Sequence, residues 1–148
     1  VDDNERPIFY KKVVETVVHE FCHSFTKIKG DTEKALEKSG KALQEYTYFS
    51  MRRQAYGTWR NILEESLVRA ATICYLIDHD YDEKDIRNAI IEQVDRNFFW
   101  MPELVQTLRY YESHRKKYPT FTSFYPEIIR FFDRYVTNME KEMKKAMK

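Results

Sequence analysis

Glycine and proline are scarce in this chain, three and four residues in 148. Strand-rich proteins turn often, and their turns lean on these two residues. So few of them exclude a many-stranded sandwich or barrel. Cysteine is rarer still: Cys22 and Cys74 are too few for a disulfide framework. Each sits among apolar residues of a helical pattern, where a buried free thiol is the expectation. No apolar run approaches the ~20 residues that span a bilayer, and no signal peptide is legible. Net charge is only +1, which makes no case for nucleic acid or an anionic membrane as partner. The chain opens on Val1-Asp2-Asp3 without methionine and reads as a single domain, residues 1–148, of a longer protein.

Aromatic side chains, by contrast, are plentiful: 11 Tyr, 10 Phe and 2 Trp. With 43% hydrophobic and 33% charged residues, the composition is that of one folded domain with a sizeable core. Apolar residues recur at steps of three and four, and no alternating run reads as a strand. The expected class is all-α.

The first helix is expected over residues 7–29, opened by Pro7 and stopped by Gly30. Val13, Val14, Val17, Val18, Phe21 and Phe25 form its apolar stripe. A short charged helix capped by Asp31 should end at Gly40, and a polar helix or loop with Tyr46, Tyr48 and Phe49 should follow. The tyrosines of residues 46–56 are suited either to lining a cleft or to covering the core. A long buried helix is expected over 59–78, another from about Asp82 with Ile86, Ala89, Ile90 and Val94 inward, and a third opened by Pro102. Phe98-Phe99-Trp100 forms an aromatic junction. The last helix is expected to start at Pro126.

The chemistry concentrates in His19-Glu20-Phe21-Cys22-His23. Residues four apart on a helix are separated by one turn plus about 40° and rise about 6 Å. Both imidazoles therefore leave one face and can meet a single zinc ion at about 2.0–2.1 Å. Glu20 points to one side, within reach of a water on that ion, as the H-E-x-x-H pattern requires. Zinc lowers the pKa of water toward ~7, Glu20 acts as general base, and a carbonyl is attacked. The pattern arises by chance roughly once in a few hundred chains of this length.

A catalytic zinc usually has three protein ligands. No third histidine follows at metzincin spacing, since Thr26 and Lys29 stand there. His79 and His114 lie in turn or charged contexts. The better candidate is Glu65, an acid in an otherwise apolar helix, with Arg69 four residues on to orient it. An ordinary surface Glu–Arg pair is the competing reading, and Glu64 falls about 100° away, nearer solvent. Tyr111, His114 and Tyr118 are candidates for stabilising negative charge on the attacked carbonyl, though packing explains each of them as well. Arg115 is suited to neutralising a substrate carboxylate or to pairing with Glu112.

His19-Glu20-x-x-His23 followed by Glu65-Ser66-Leu67-Val68-Arg69-Ala70 resembles the gluzincin group of zinc metallopeptidases. Residues 18–25 (VHEFCHSF), the ESLVRA segment and residues 111–126 (YESHRKKYPTFTSFYP) are similar to a bacterial domain-of-unknown-function family of inferred gluzincin-type peptidases. That likeness spans residues 7–135. It implies a zincin-like helical domain with His19, His23 and Glu65 on Zn2+, Glu20 as base, and a peptide or protein substrate. It also implies an extracytoplasmic bacterial protein with a separate upstream domain. One departure stands: gluzincins place a β-sheet beside the active-site helix, and no strand is legible here. The alternatives are a zinc-stabilised binding module that does not cleave and a metal-free helical interaction domain.

Overall fold

A computed structural model describes residues 4–6 and 10–148, and among these residues there are seven helices and no strand. They are α1 (Lys11–Cys22), α2 (Gly30–Tyr46), α3 (Tyr48–Arg53), α4 (Trp59–Asp78), α5 (Glu83–Asp95), α6 (Met101–Ser113) and α7 (Phe121–Ala146). The expected all-α class is what the structure has. No helix among the described residues is long and apolar enough to cross a membrane.

The fold is organised around α4. Thr58 caps it by accepting the Asn61 N–H at 3.2 Å. From Ile62 to Ile77 none of its residues is exposed, the signature of a helix buried on all sides. It packs against α1, α2, α5 and α6, while α7 lies against α2 and α6. The aromatic junction predicted at 98–100 fills the centre. Phe98 and Trp100 are fully buried, and the Trp100 Nε1–H donates to Ser66 Oγ at 2.9 Å, which satisfies its one polar atom. Both cysteines are free, and burial pushes both thiols above their ordinary range.

Several expected boundaries move. The expected start at Pro7 lies outside the described residues. α1 ends at Cys22, seven residues short of the expected end. Past Cys22 the chain closes a tight turn, the Ser24 N–H donating to the Phe21 carbonyl at 3.1 Å and the Phe25 N–H to the Cys22 carbonyl at 3.0 Å, and tertiary partners hold the residues beyond it. The Ile28 N–H donates to Glu64 Oε1 at 2.9 Å, and the Lys27 carbonyl accepts from the Tyr125 hydroxyl at 3.1 Å. Glu64 is therefore largely enclosed and not turned to solvent as expected. Gly30, with φ +60°, begins α2, so it marks the next helix start and not the end of α1.

The apolar stripe of α1 is also divided. Val14, Val18 and Cys22 turn inward, whereas Val13, Val17, Phe21 and Phe25 are exposed, Phe21 at 65%. Apolar residues occupy two faces of this helix, and α4 covers one.

The helix expected to end at Gly40 runs through it to Tyr46. Gly40 is buried, and a Cβ there would overlap the Trp59 ring. The glycine is present for close helix approach. Gly40→Ala is therefore expected to destabilise the protein by about 1–2 kcal/mol, overpacking outweighing the gain in helix propensity. Chemical denaturation checks this, and a variant more stable than the parent would refute the packing role.

α7 starts five residues before Pro126, because Thr120 and Ser123 form a reciprocal capping box. Pro126 sits on the exposed side of the second turn, and Thr122, whose carbonyl loses its usual helical donor there, is exposed as well.

Candidate metal centre

α1 and α4 run side by side, and their facing surfaces carry the polar residues singled out above. His19 and His23 leave α1 toward α4, their ring centroids 5.1 Å apart and nearly perpendicular. Glu65 rises from α4 between them, with its side chain 9% exposed. His19 Nε2 lies 3.4 Å from Glu65 Oε1, and His23 Nε2 lies 3.7 Å from Glu65 Oε2. One donor atom from each of the three residues falls within 4.8 Å of the other two. Among the described residues this is the one cluster of three such groups.

The separations bear on what the cluster can hold. A charge-assisted imidazole–carboxylate hydrogen bond is about 2.7–2.9 Å long, so both pairs are too far apart for a good direct bond. The edge of a tetrahedron with metal–ligand bonds of 2.0–2.1 Å is roughly 3.3 Å, close to both values. Two neutral imidazoles and a carboxylate also suit zinc by donor chemistry. Burial holds His19 below its ordinary pKa of 6.5, opposed mainly by the Glu65 carboxylate. The depressed value keeps the ring neutral near pH 7, the state in which its lone pair can bind a metal. Glu20 is exposed on the adjoining flank of α1, close enough that its charge acts on His19.

Glu65 is itself held in place. Arg69 Nη2 donates to Glu65 Oε1 at 2.8 Å and to the Tyr56 hydroxyl at 2.9 Å, and Arg69 Nη1 donates to Gln93 Oε1 at 2.6 Å. The guanidinium lies over the Phe98 ring at 5.2 Å. Arg69 Nε is buried and has no partner. The Tyr56 hydroxyl accepts from Arg69 and also interacts with the Glu65 carboxylate. Burial pushes its pKa up, with Arg69 opposing, so at neutral pH it retains its proton for that carboxylate. Beside this network a cleft of ≈ 240 Å³ opens between α1, α4 and α5, lined by His19, Arg69, Thr16, Thr72 and Gln93 among others.

Tyr56 and Gln93 were not among the residues expected at the site. Gln93 had a legible signal: it lies seven residues after Ile86 and three after Ile90, a polar residue on an apolar stripe. Tyr56 had none beyond its tyrosine-rich neighbourhood. It reaches the site because Ala55, at φ 66°, turns the chain there and Tyr56 packs edge-on against Phe98. Such orienting partners typically carry 10- to 100-fold in metal affinity, so Tyr56→Phe and Gln93→Leu are each expected to weaken zinc binding by roughly 10-fold or more. Chelator competition measures it, and unchanged affinity in both variants would show that Arg69 holds Glu65 without them.

The other candidates have partners of their own. Tyr111 is buried against Phe121 and Phe124. The Tyr118 hydroxyl donates to Glu127 at 2.5 Å. His114 stacks on Tyr110 at 3.9 Å, and His79 on Tyr75 at 3.7 Å. Neither of these two histidines joins the cluster. The two tyrosines are buried where the aromatic residues that open α7 meet the end of α6. Arg115 lies over Tyr111 and bonds the Pro119 carbonyl, so it does not pair with Glu112, which Arg109 takes.

One family model, described as Domain of unknown function (DUF4932), matches residues 6–131. No curated protein and no solved structure matches the chain.

Proposed function

We propose that this chain, which belongs to the DUF4932 family, is a zinc-dependent metallopeptidase of gluzincin type. The observation that carries the reading is the convergence of His19, His23 and Glu65, donors from two helices within 4.8 Å of one another, with Glu20 next to the first of them. A structural zinc site is normally closed by four protein ligands, whereas three leave a coordination position open.

Zinc held there would polarise a carbonyl oxygen and lower the pKa of water toward ~7. The residues of the chain have distinct tasks. His19 and His23 would hold the ion through their ring nitrogens. Glu65 contributes negative charge and is kept oriented by Arg69, Gln93 and Tyr56. Glu20, exposed and not held by any of these groups, accepts a proton from water and delivers it to the leaving amine. The cleft beside His19 receives part of a peptide or protein substrate.

A second reading is a zinc-stabilised binding module without cleavage. It is favoured by the lack of any strand among the described residues that would pair with an extended peptide. Anomalous scattering at the zinc edge joined to a peptide-library cleavage screen tests both. Zinc with cleavage supports the first reading, and zinc without cleavage the second. A protein that takes up no zinc removes both and leaves a helical interaction domain.

A further inference from the structure

A second cleft, of ≈ 470 Å³, opens between the end of α1, α4 and the α6–α7 connection. None of His19, Glu20, His23 or Glu65 lines it. Its walls are apolar, formed by Phe25, Ala71, Tyr111 and Phe121, with Cys22 at one side and Arg115 at the edge. Small-molecule sites share this make-up: a few hundred Å³, a mostly apolar lining and a few placed polar groups.

The polar element is specific. The Arg115 guanidinium lies 4.6 Å from the Tyr111 ring centroid, and its Nη2 donates to the Pro119 carbonyl at 2.8 Å. Both partners are neutral, and among the described residues Arg115 makes no ion pair. Its charge is felt by Glu112, but that carboxylate is in contact with Arg109, so the exposed Arg115 guanidinium is oriented only by neutral partners. Thr120 and Phe121, at the start of the 26-residue helix α7, line the same cleft, so the positive end of that helix dipole adds to the field. No second cationic side chain and no carboxylate lines it. One cation beside an apolar hollow favours a monoanion over a phosphate dianion, and a planar carboxylate matches a guanidinium fork.

We propose that this cleft binds a small amphipathic carboxylate, its apolar body among Phe25, Ala71, Tyr111 and Phe121 and its carboxylate on Arg115. The proposal is independent of the metallopeptidase reading. Two sources share the chemistry, a free fatty acid and the apolar C-terminal residue of a peptide.

Calorimetric titration of the full chain with decanoate and with N-acetylphenylalanine tells them apart, with the neutral amide of each as control. At least one acid should bind with 1:1 stoichiometry, in the presence or absence of zinc, and at least 10-fold more tightly than its amide. Arg115→Gln should weaken the acid by roughly 10- to 100-fold, the range expected for one charged hydrogen-bond partner, and leave the amide unchanged. Ala71→Met, which fills the cleft, should weaken acid and amide together. Bound acid should also slow alkylation of half-buried Cys22. Thermal melts of both variants establish that they fold, and Cys22 protection in the parent protein needs no variant at all. The proposal is overturned if neither acid binds at millimolar concentration, if acid and amide bind alike, or if Cys22 is not protected. Binding seen only when zinc is present would assign the acid to the metal cluster instead, and equally overturns it.

Discussion

Glu20→Gln should reduce peptide cleavage by on the order of 10²- to 10⁴-fold, the usual contribution of a positioned general acid–base group, while zinc content and melting temperature stay those of the parent. Each half of this expectation has a physical cause. Glutamine keeps the size and shape of the side chain but cannot take a proton, so the loss should fall on the chemical step. Glu20 is exposed, and exposed substitutions that touch no cap, charge network or core normally change stability by less than about 0.5 kcal/mol. Three measurements are therefore made on one variant: turnover, zinc stoichiometry and thermal unfolding. If turnover is unchanged, Glu20 is not the base and the reaction assigned to the motif is wrong. If zinc is lost as well, Glu20 acts on the metal and not on the water.

Removal of Glu65 should have the larger effect on the protein as a whole. Glu65→Ala takes away the one anionic donor of the cluster and should lower zinc affinity by on the order of 10³-fold or more. It also strands Arg69. The two side chains are 9% and 12% exposed and 2.8 Å apart, and breaking a buried pair on one side costs about 3–5 kcal/mol through the uncompensated charge. Metal loss and unfolding could then be confused in the alanine variant. Glu65→Gln separates them: the amide oxygen still accepts from Arg69, so most of the fold stability is retained, but the negative charge toward the metal is gone. Isothermal titration with zinc on the glutamine variant reads metal affinity alone. A Glu65→Gln protein that binds zinc as tightly as the parent would remove Glu65 from the ligand set, and His19 and His23 by themselves would not hold a catalytic ion.

The two kinds of expectation drawn from the sequence fared differently for a reason visible in α1. Periodicity located the helix, but it could not say which apolar face would be covered, because Val14 and Val18 recur at helical steps just as Val13, Val17 and Phe21 do. Only α4 decides between them. The end of α1 failed in a related way. The helical pattern continues past Cys22, but the chain turns there, and beyond the turn Glu64 and Tyr125, 36 and 98 residues away from their partners, take the backbone groups of Ile28 and Lys27. Gly40 and Pro126 were read by their usual local meanings. A ring packed on the first and a capping box upstream of the second override those meanings.

What the linear order of residues determined by itself is everything set within one helical turn or by bulk composition: the all-α class, the span of α4, the common face of His19 and His23, and the Glu65–Arg69 pair. These rest on the 3.6-residue period, which needs no knowledge of neighbours. Only the tertiary structure decided that α4 brings Glu65 to those histidines and that Tyr56 and Gln93 fix Arg69 behind it. Each of those contacts joins segments distant in the chain, and which of them forms is settled by how the helices pack, for which no local pattern carries a signal.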